Sequence, residues 1–485
     1  MPDRISKALP VLGLGLGLSL FVVLAYLRPG YFTSPSYLGA LILLECLVVS
    51  LWLYRRIFFP IVILTFLFAG TNLPLGGIWT SARWFFLAAG ALVGSFIMLK
   101  EHRHHFGLFH VLAAFAALAG LVSAVVSKYP GFALLKAVSL VLLFLYASTG
   151  ARLAVLGREN NFFNGLLLGS EVFVGVLAAF YLVGIEAMGN PNSLGAVMGV
   201  VAAPLLLWGS MLEEKPMVHL RRQVLFVVAM YLTFHSQSRS GLAAALLSCG
   251  LLCFALRRYK LLGHGIVVIL ILVTASAIFD PVAFSKTVSM LTERVVYKDK
   301  DPTLGLFESR QTPWQSAVDS IHKHFWLGSG FGTTDKGQDA SRYLNQSYGH
   351  FSSNESLTTE NGSSYLTIIT WVGVLGVAPF LVLLLALVGN VLRTLWWMRK
   401  TGNPSHPAVP LAIIMVAGLI HAGFEDWLFA VGYYLCVFYW SLAFPLADLA
   451  PSVSFFGWAV RWRSAPVQRG RWLTPLPAND ASLHQ

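Results

Sequence analysis

The sequence predicts an all-α, polytopic transmembrane helical bundle, and three observations carry that prediction. The 485 residues are 56% hydrophobic and only 12% charged, with a mean hydropathy of +0.69, a balance suited to a chain whose main solvent is lipid. About twelve to fourteen apolar stretches recur along it, most of them close to the length a helix needs to cross a bilayer. Basic residues alternate between the connections in the manner that membrane insertion imposes.

The first stretch, Ala8 to Leu27, follows MPDRISK. No small-residue cleavage pattern comes after it, so it reads as a retained helix rather than a removed signal peptide. The remaining spans are expected at 36–54, 57–73, 84–99, 106–126, 132–148, 162–184, 193–212, 223–235, 240–256, 262–279, 364–392, 408–423 and 428–449. With a cytoplasmic N-terminus, 21 of the 34 basic residues fall in inside connections and the C-terminal tail. Eight of the other 13 lie in one long connection, 280–363, where charge has little topogenic force, leaving Arg28, Arg83, Lys128, Lys136 and Arg239 for the short outside connections. Both termini are therefore expected in the cytoplasm and the long connection outside. The net charge of +12 is then a topology signal, with the tail RWRSAPVQRGR attracted to anionic lipid, and it calls for no nucleic-acid partner. Three regions are expected: N-terminal helices at 1–222, a functional region at 223–449 that includes the long connection, and a basic tail at 450–485.

Cys46, Cys249, Cys253 and Cys436 all sit inside apolar stretches and read as small packing residues. Arg239 is different. It lies in HSQSRSG, between two apolar stretches. An arginine at membrane depth costs several kcal/mol unless it faces protein, water or an anion. Two readings compete, a guanidinium snorkelling to headgroup phosphates and a binding residue. The long connection favours the second. In ESRQTPWQSAVDSIHKHFWLGSGFGTTD, Trp314, Val318, Ile321 and Phe325 recur at helical spacing and predict an amphipathic helix on the membrane surface or over a cavity. Arg310 precedes that helix and His324 ends it. The GSGFG that follows lacks the lysine of a P-loop, and reads as a helix-ending turn through which two backbones approach closely.

These features together resemble the O-antigen ligase and polymerase superfamily over roughly residues 225–445. They are Ser238 and Arg239 opening a span, then Arg310, Trp314, His324, Gly328, Gly330, Phe331 and Gly332 in the connection, then Ser363, Ser364, Tyr365 and Leu366 ahead of WVGVLG. The resemblance implies a GT-C-like membrane glycosyltransferase acting on undecaprenyl-diphosphate-linked glycan at the periplasmic face of a bacterial inner membrane. The physics agrees with it. Nucleotide sugars are absent outside the cytoplasm, so the energy of transfer resides in the lipid diphosphate. Its departure is favoured by permanent, forked cations. Arg239 and Arg310 are the expected diphosphate-binding residues, with Lys136 as a further contributor or a snorkelling lysine.

Ligases of this superfamily usually carry a histidine just ahead of the span that follows the loop. This sequence reads TTENGSSYL there. Glu360, as a carboxylate able to take the acceptor proton, and His324 are therefore the catalytic candidates. The plainer readings are a helix-terminal acid and a surface histidine. Glu425 and Asp426 in HAGFEDWLF are expected to orient sugar hydroxyls or pair with an arginine, with His350 a weaker candidate for sugar binding. Glu45 and Glu171 lie within spans and need partners. No metal or other cofactor is expected, since lysines interleave the acids of TERVVYKDKDP. Sequons at Asn345, Asn354 and Asn361 carry no meaning in a bacterial setting.

The missing histidine favours a polymerase, which joins lipid-linked repeats into O-antigen, capsule or exopolysaccharide. A ligase passing the glycan to lipid A-core is the alternative. A transporter or flippase of lipid-linked sugars is the third reading, and the lack of an obvious internal repeat counts against it. A flippase and a chain-length regulator are partners implied by the resemblance alone.

Overall fold

The computed structural model describes residues 34–71, 76–101, 106–212 except 186 and 189, 215–282, 308–333 and 362–452, with a few isolated positions elsewhere. The first apolar stretch, the tail beyond 452, Glu360, His350 and the three sequons lie outside the described residues.

Every other expected span falls on a helix. In chain order these are α1 (Pro35–Trp52), α2 (Phe59–Ala69), α3 (Gly76–Glu101), α4 (Leu108–Val125), α5 (Pro130–Val155), α6 (Glu159–Leu182), α7 (Pro191–Leu212), α8 (Pro216–His235), α9 (Arg239–Ala255) and α10 (Tyr259–Phe279). The loop helix α11 (Glu308–Lys323) comes next, and α12 (Ser364–Thr401), α13 (Ala408–Ala422) and α14 (Tyr434–Leu449) complete the described chain. Seven are long and apolar enough to cross a membrane singly, namely α3 to α8 and α12. The pair α1 and α2, the latter preceded by the π-helical turn Tyr54–Phe58, is bent by 118° at Leu53 and makes an eighth span if counted as one, and α9, α13 and α14 are shorter apolar helices. Hydropathy locates the segments but not the bend, because a single non-helical residue, Leu53 (φ −93°, ψ 34°), leaves no hydropathy signal of its own.

Two polar faces organise the bundle. On one, Arg55 pairs with Glu101, Arg158 donates to the Arg55 carbonyl, and Arg152 grips Asp448 through two bonds of 2.6 and 3.1 Å. Glu171, whose partner the sequence leaves open, is 6% exposed and held by Arg221 at 2.6 Å and Arg222 at 2.8 Å. These arginines are among those that the alternation rule places together. On the other face the chain brings together residues near 71 and 188, 127 and 333, and 310 and 425. Arg83 is a correction. Its helix begins at Gly76, so the guanidinium lies two turns inside α3 at 1% exposure, and not in an outside connection.

The core is formed by α7, α13 and α14. Every residue from Tyr434 to Leu446 is buried, as expected of a helix that is apolar all round. The polar tips inside it find partners. The Trp440 indole donates to the Leu428 carbonyl at 2.6 Å and the Tyr439 hydroxyl to the Met415 carbonyl at 3.2 Å. By contrast α6 and α8 present exposed apolar residues such as Leu168, Val172, Val224 and Val227, the surface that lipid covers.

Candidate functional site

The segment HSQSRSG turns α8 into α9 within three residues. Gln237 takes a left-handed backbone (φ 55°), and the Ser238 hydroxyl caps α9 by accepting from the Gly241 N–H at 3.2 Å. The turn sits hard against α7, because a Cβ on Gly195 would come within 2.2 Å of Ser238 Cβ. Arg239 is thereby fixed at the first position of a 17-residue helix. The positive end of the helix dipole adds there to the guanidinium charge, which suits an anion.

Arg310 arrives from α11, and the Arg239 and Arg310 guanidiniums lie within electrostatic range of each other. Arg310 Nη2 donates to Glu425 Oε1 at 2.5 Å, with the two side chains 17% and 14% exposed. The Ser240 hydroxyl donates to the same oxygen at 3.4 Å. Behind them the Gly362 carbonyl accepts from the Trp314 indole at 3.3 Å, and a Cβ on Gly362 would press on Arg310 Nη1 at 3.0 Å. Two arginines, one carboxylate and a helix terminus therefore meet at one half-buried place. Of the two roles expected for Glu425, the structure shows the ion pair with Arg310.

The turn that presents Glu425 is held by Ser364. Its hydroxyl donates to the Glu425 carbonyl at 2.6 Å and accepts from the Trp427 and Leu428 N–H groups at 3.0 and 3.1 Å. Ser364→Ala should leave buried backbone groups unmatched and lower stability by about 1–3 kcal/mol. A thermal unfolding scan of the purified protein checks this, and an unchanged midpoint would refute the assignment.

The loop helix buries only part of the expected stripe. Ala317 is fully buried and Trp314 and Ile321 are partly so, whereas Val318 and Phe325 are 41% and 42% exposed. Arg310 lies inside the helix rather than ahead of it, since α11 begins at Glu308. The stripe is set by what α11 packs against, the α12 helix.

His324 is exposed, and at a rise of 1.5 Å per residue it lies about 20 Å along the α11 axis from Arg310. The structure does not bring it to the arginine pair. Nor does it place Lys136 there. The Lys136 ammonium donates to the Gly332 carbonyl at 2.7 Å and lies 4.4 Å from the Phe132 ring centre. Asp426 follows Glu425 in the turn, half-buried. Among the described residues no group of three or more His, Cys, Asp or Glu is arranged to hold a metal ion.

Sequence reasoning missed His421, the penultimate residue of α13 and the first of HAGFEDWLF. It is 2% exposed and within electrostatic range of Arg310. The Trp427 indole, which is only ever a donor, bonds its Nδ1 at 2.8 Å. A neutral ring must then carry its proton on Nε2, which has no hydrogen-bond partner among the described residues. His421 so held offers a donor and not a base. Its signal in the sequence is a histidine six residues before a tryptophan at a helix end, too common a pattern to single out.

The GSGFG turn has a structural partner. α12 breaks at Gly373, where φ is 66° and ψ is −177°, and the turn fills the break. Ser329 and Gly330 N–H donate to the Thr370 and Trp371 carbonyls at 2.9 and 3.1 Å, while Val374 and Leu375 N–H donate to the Phe325 and Trp326 carbonyls at 2.8 and 3.2 Å. The close backbone approach expected of this turn is made to α12.

Residues 224–381 match the family model described as O-antigen ligase. No curated protein matches the chain closely enough to count as a relative. The matched segment contains α9 with Arg239, α11 with Arg310 and the broken start of α12, and it ends before the Glu425 turn. Through residues 224–381, this chain of several membrane-length apolar helices is similar to the O-antigen ligase family.

Proposed function

We propose that the chain is a glycosyltransferase that polymerises undecaprenyl-diphosphate-linked oligosaccharide repeats at the outer face of the bacterial cytoplasmic membrane, with both termini inside. The observation that carries this reading is that Arg310, through the Glu425 carboxylate and Ser240, is joined to the N-terminus of α9, which Arg239 begins. An acceptor sugar hydroxyl attacks the anomeric carbon of the donor. The bond from that carbon to the diphosphate oxygen breaks, and the electron pair leaves with the diphosphate. Arg239 and Arg310 hold the departing anion, whose charge they match better than they match the intact donor.

Arg310 meets Glu425 in the structure. A bound diphosphate competes for that guanidinium, and a freed Glu425 carboxylate is then placed to take the acceptor proton, a task for which the sequence suggests Glu360. The ligase reading rests on one specific observation, that the matching family model is described as an O-antigen ligase.

Purified protein supplied with an undecaprenyl-diphosphate oligosaccharide separates the two. A ladder of longer lipid-linked glycans without lipid A-core is the expected result. Product formed only in the presence of lipid A-core would make the protein a ligase.

A further inference from the structure

A second group of cations lines a cleft on the same face. A cavity of about 370 Å³ lies between α3, α5, the GSGFG turn and residues 429–432. Arg83 and Lys136 line it together with Thr80 and Ser139, and most of its wall is apolar, with Trp84, Phe132, Phe331 and Phe429. No carboxylate is among the described residues that line it.

Both cations are oriented. Arg83 Nη1 donates to the Gly432 carbonyl at 2.9 Å with its guanidinium 5.1 Å from the Trp84 ring centre, and Lys136 is held by Gly332 and Phe132. Arg83 lies about 10 Å along α3 from its start and Lys136 about 9 Å along α5 from its start. The rim is lipid-facing, since Leu135 and Val138 are 60% and 45% exposed on the apolar surface of α5. The cavity thus opens sideways into the bilayer. Two basic side chains, an apolar wall and a lateral mouth together fit a single-chain lipid that carries a phosphate group.

We propose that this cavity holds the diphosphate of a second polyprenyl lipid, the one that bears the acceptor sugar and keeps its diphosphate through the reaction. The proposal rests on the polymerase reading. Joining two lipid-linked glycans breaks only one sugar–diphosphate bond, so two diphosphates are present at once with opposite fates. One site must stabilise a departing anion and the other must retain an intact one. The turn between α13 and α14 has Glu425 on the Arg310 site and Phe429 to Gly432 on the cavity. It therefore links the two sites and sets the separation at which the acceptor glycan meets the donor. Lys136 belongs to this second site rather than to the donor site expected from the sequence.

Native mass spectrometry of the full chain with undecaprenyl diphosphate tests the proposal. Two bound lipids are expected per chain. Leu135→Trp, at an exposed rim position that a fold tolerates, and Lys136→Gln should each lose one, and Arg310→Ala should lose the other. In the polymerisation assay both rim variants should raise the apparent KM for the lipid-linked acceptor by about tenfold. A wild-type chain that binds one lipid, lost in Arg310→Ala and untouched by Leu135→Trp, would overturn the proposal even if the protein polymerises. Two lipids bound by a chain that makes no polymer would instead overturn the polymerase reading while the lipid site stands. Displacement of the second lipid by lipid A-core would assign the cavity to a different occupant and overturn the proposal.

Discussion

Replacing Arg310 with alanine should lower turnover by about 10²–10³-fold, the loss seen when one charge-stabilising group is removed from a developing anion. Arg239→Ala should do the same. The arginines are close enough to influence each other electrostatically, so the effects should be less than additive. Lysine at either position should recover only part of the activity, because a point charge cannot fork across two phosphate oxygens. Arg310→Ala also strands Glu425, which is 14% exposed, and some stability should be lost for that reason alone. The double change Arg310→Ala with Glu425→Ala removes that stranded charge. It should restore the thermal midpoint without restoring turnover, and near-normal product formation in either arginine variant would sink the diphosphate assignment.

The arginine pair is legible in the sequence alone, and the reasons are physical. Arg239 stands in an otherwise apolar region where a charge is costly, and Arg310 lies in a long external connection beside a helix signal and a glycine turn. The helices are legible too, because lipid solvation writes a hydropathy pattern that needs no knowledge of neighbours. What the sequence hides are features that depend on a partner. Arg83 reads as a loop residue, because the start of α3, GGIWTS, is too polar and glycine-rich to register as span. Lys136 reads as a contributor to the arginine pair or a snorkelling lysine, and its bond to the Gly332 carbonyl is hidden, since periodicity does not say which helices adjoin. His421 gains meaning only when Trp427 is set against its Nδ1. Glu425 is legible as a candidate, and its choice of Arg310 is not.

Gly373→Ala should be among the most damaging single-methyl changes in the described chain. The backbone there, φ 66° and ψ −177°, belongs to a region that essentially only glycine occupies, and a side chain would cost about 1–3 kcal/mol in strain before any contact is counted. The contacts are also prohibitive. A Cβ would meet the Trp326 carbonyl oxygen at 2.4 Å and the Gly328 nitrogen at 2.5 Å, both backbone atoms with no rotamer to yield. Relief requires the turn to lift from α12, which breaks the four backbone hydrogen bonds that fill the helix break. The total loss should exceed about 3 kcal/mol, as strain and unmatched buried backbone groups add. Turnover should fall with it, because the same turn ends the helix that carries Arg310 and lines the cavity beside Lys136. Gly389→Ala, in the same helix with nothing within 4 Å of the added methyl, is the control and should be neutral or slightly stabilising. Fluorescence-detected size exclusion over a temperature ramp, paired with the polymerisation assay, reads both effects. A Gly373→Ala protein as stable as the Gly389→Ala protein would show that the turn does not need the break, and that the loop helix and α12 are not coupled through it.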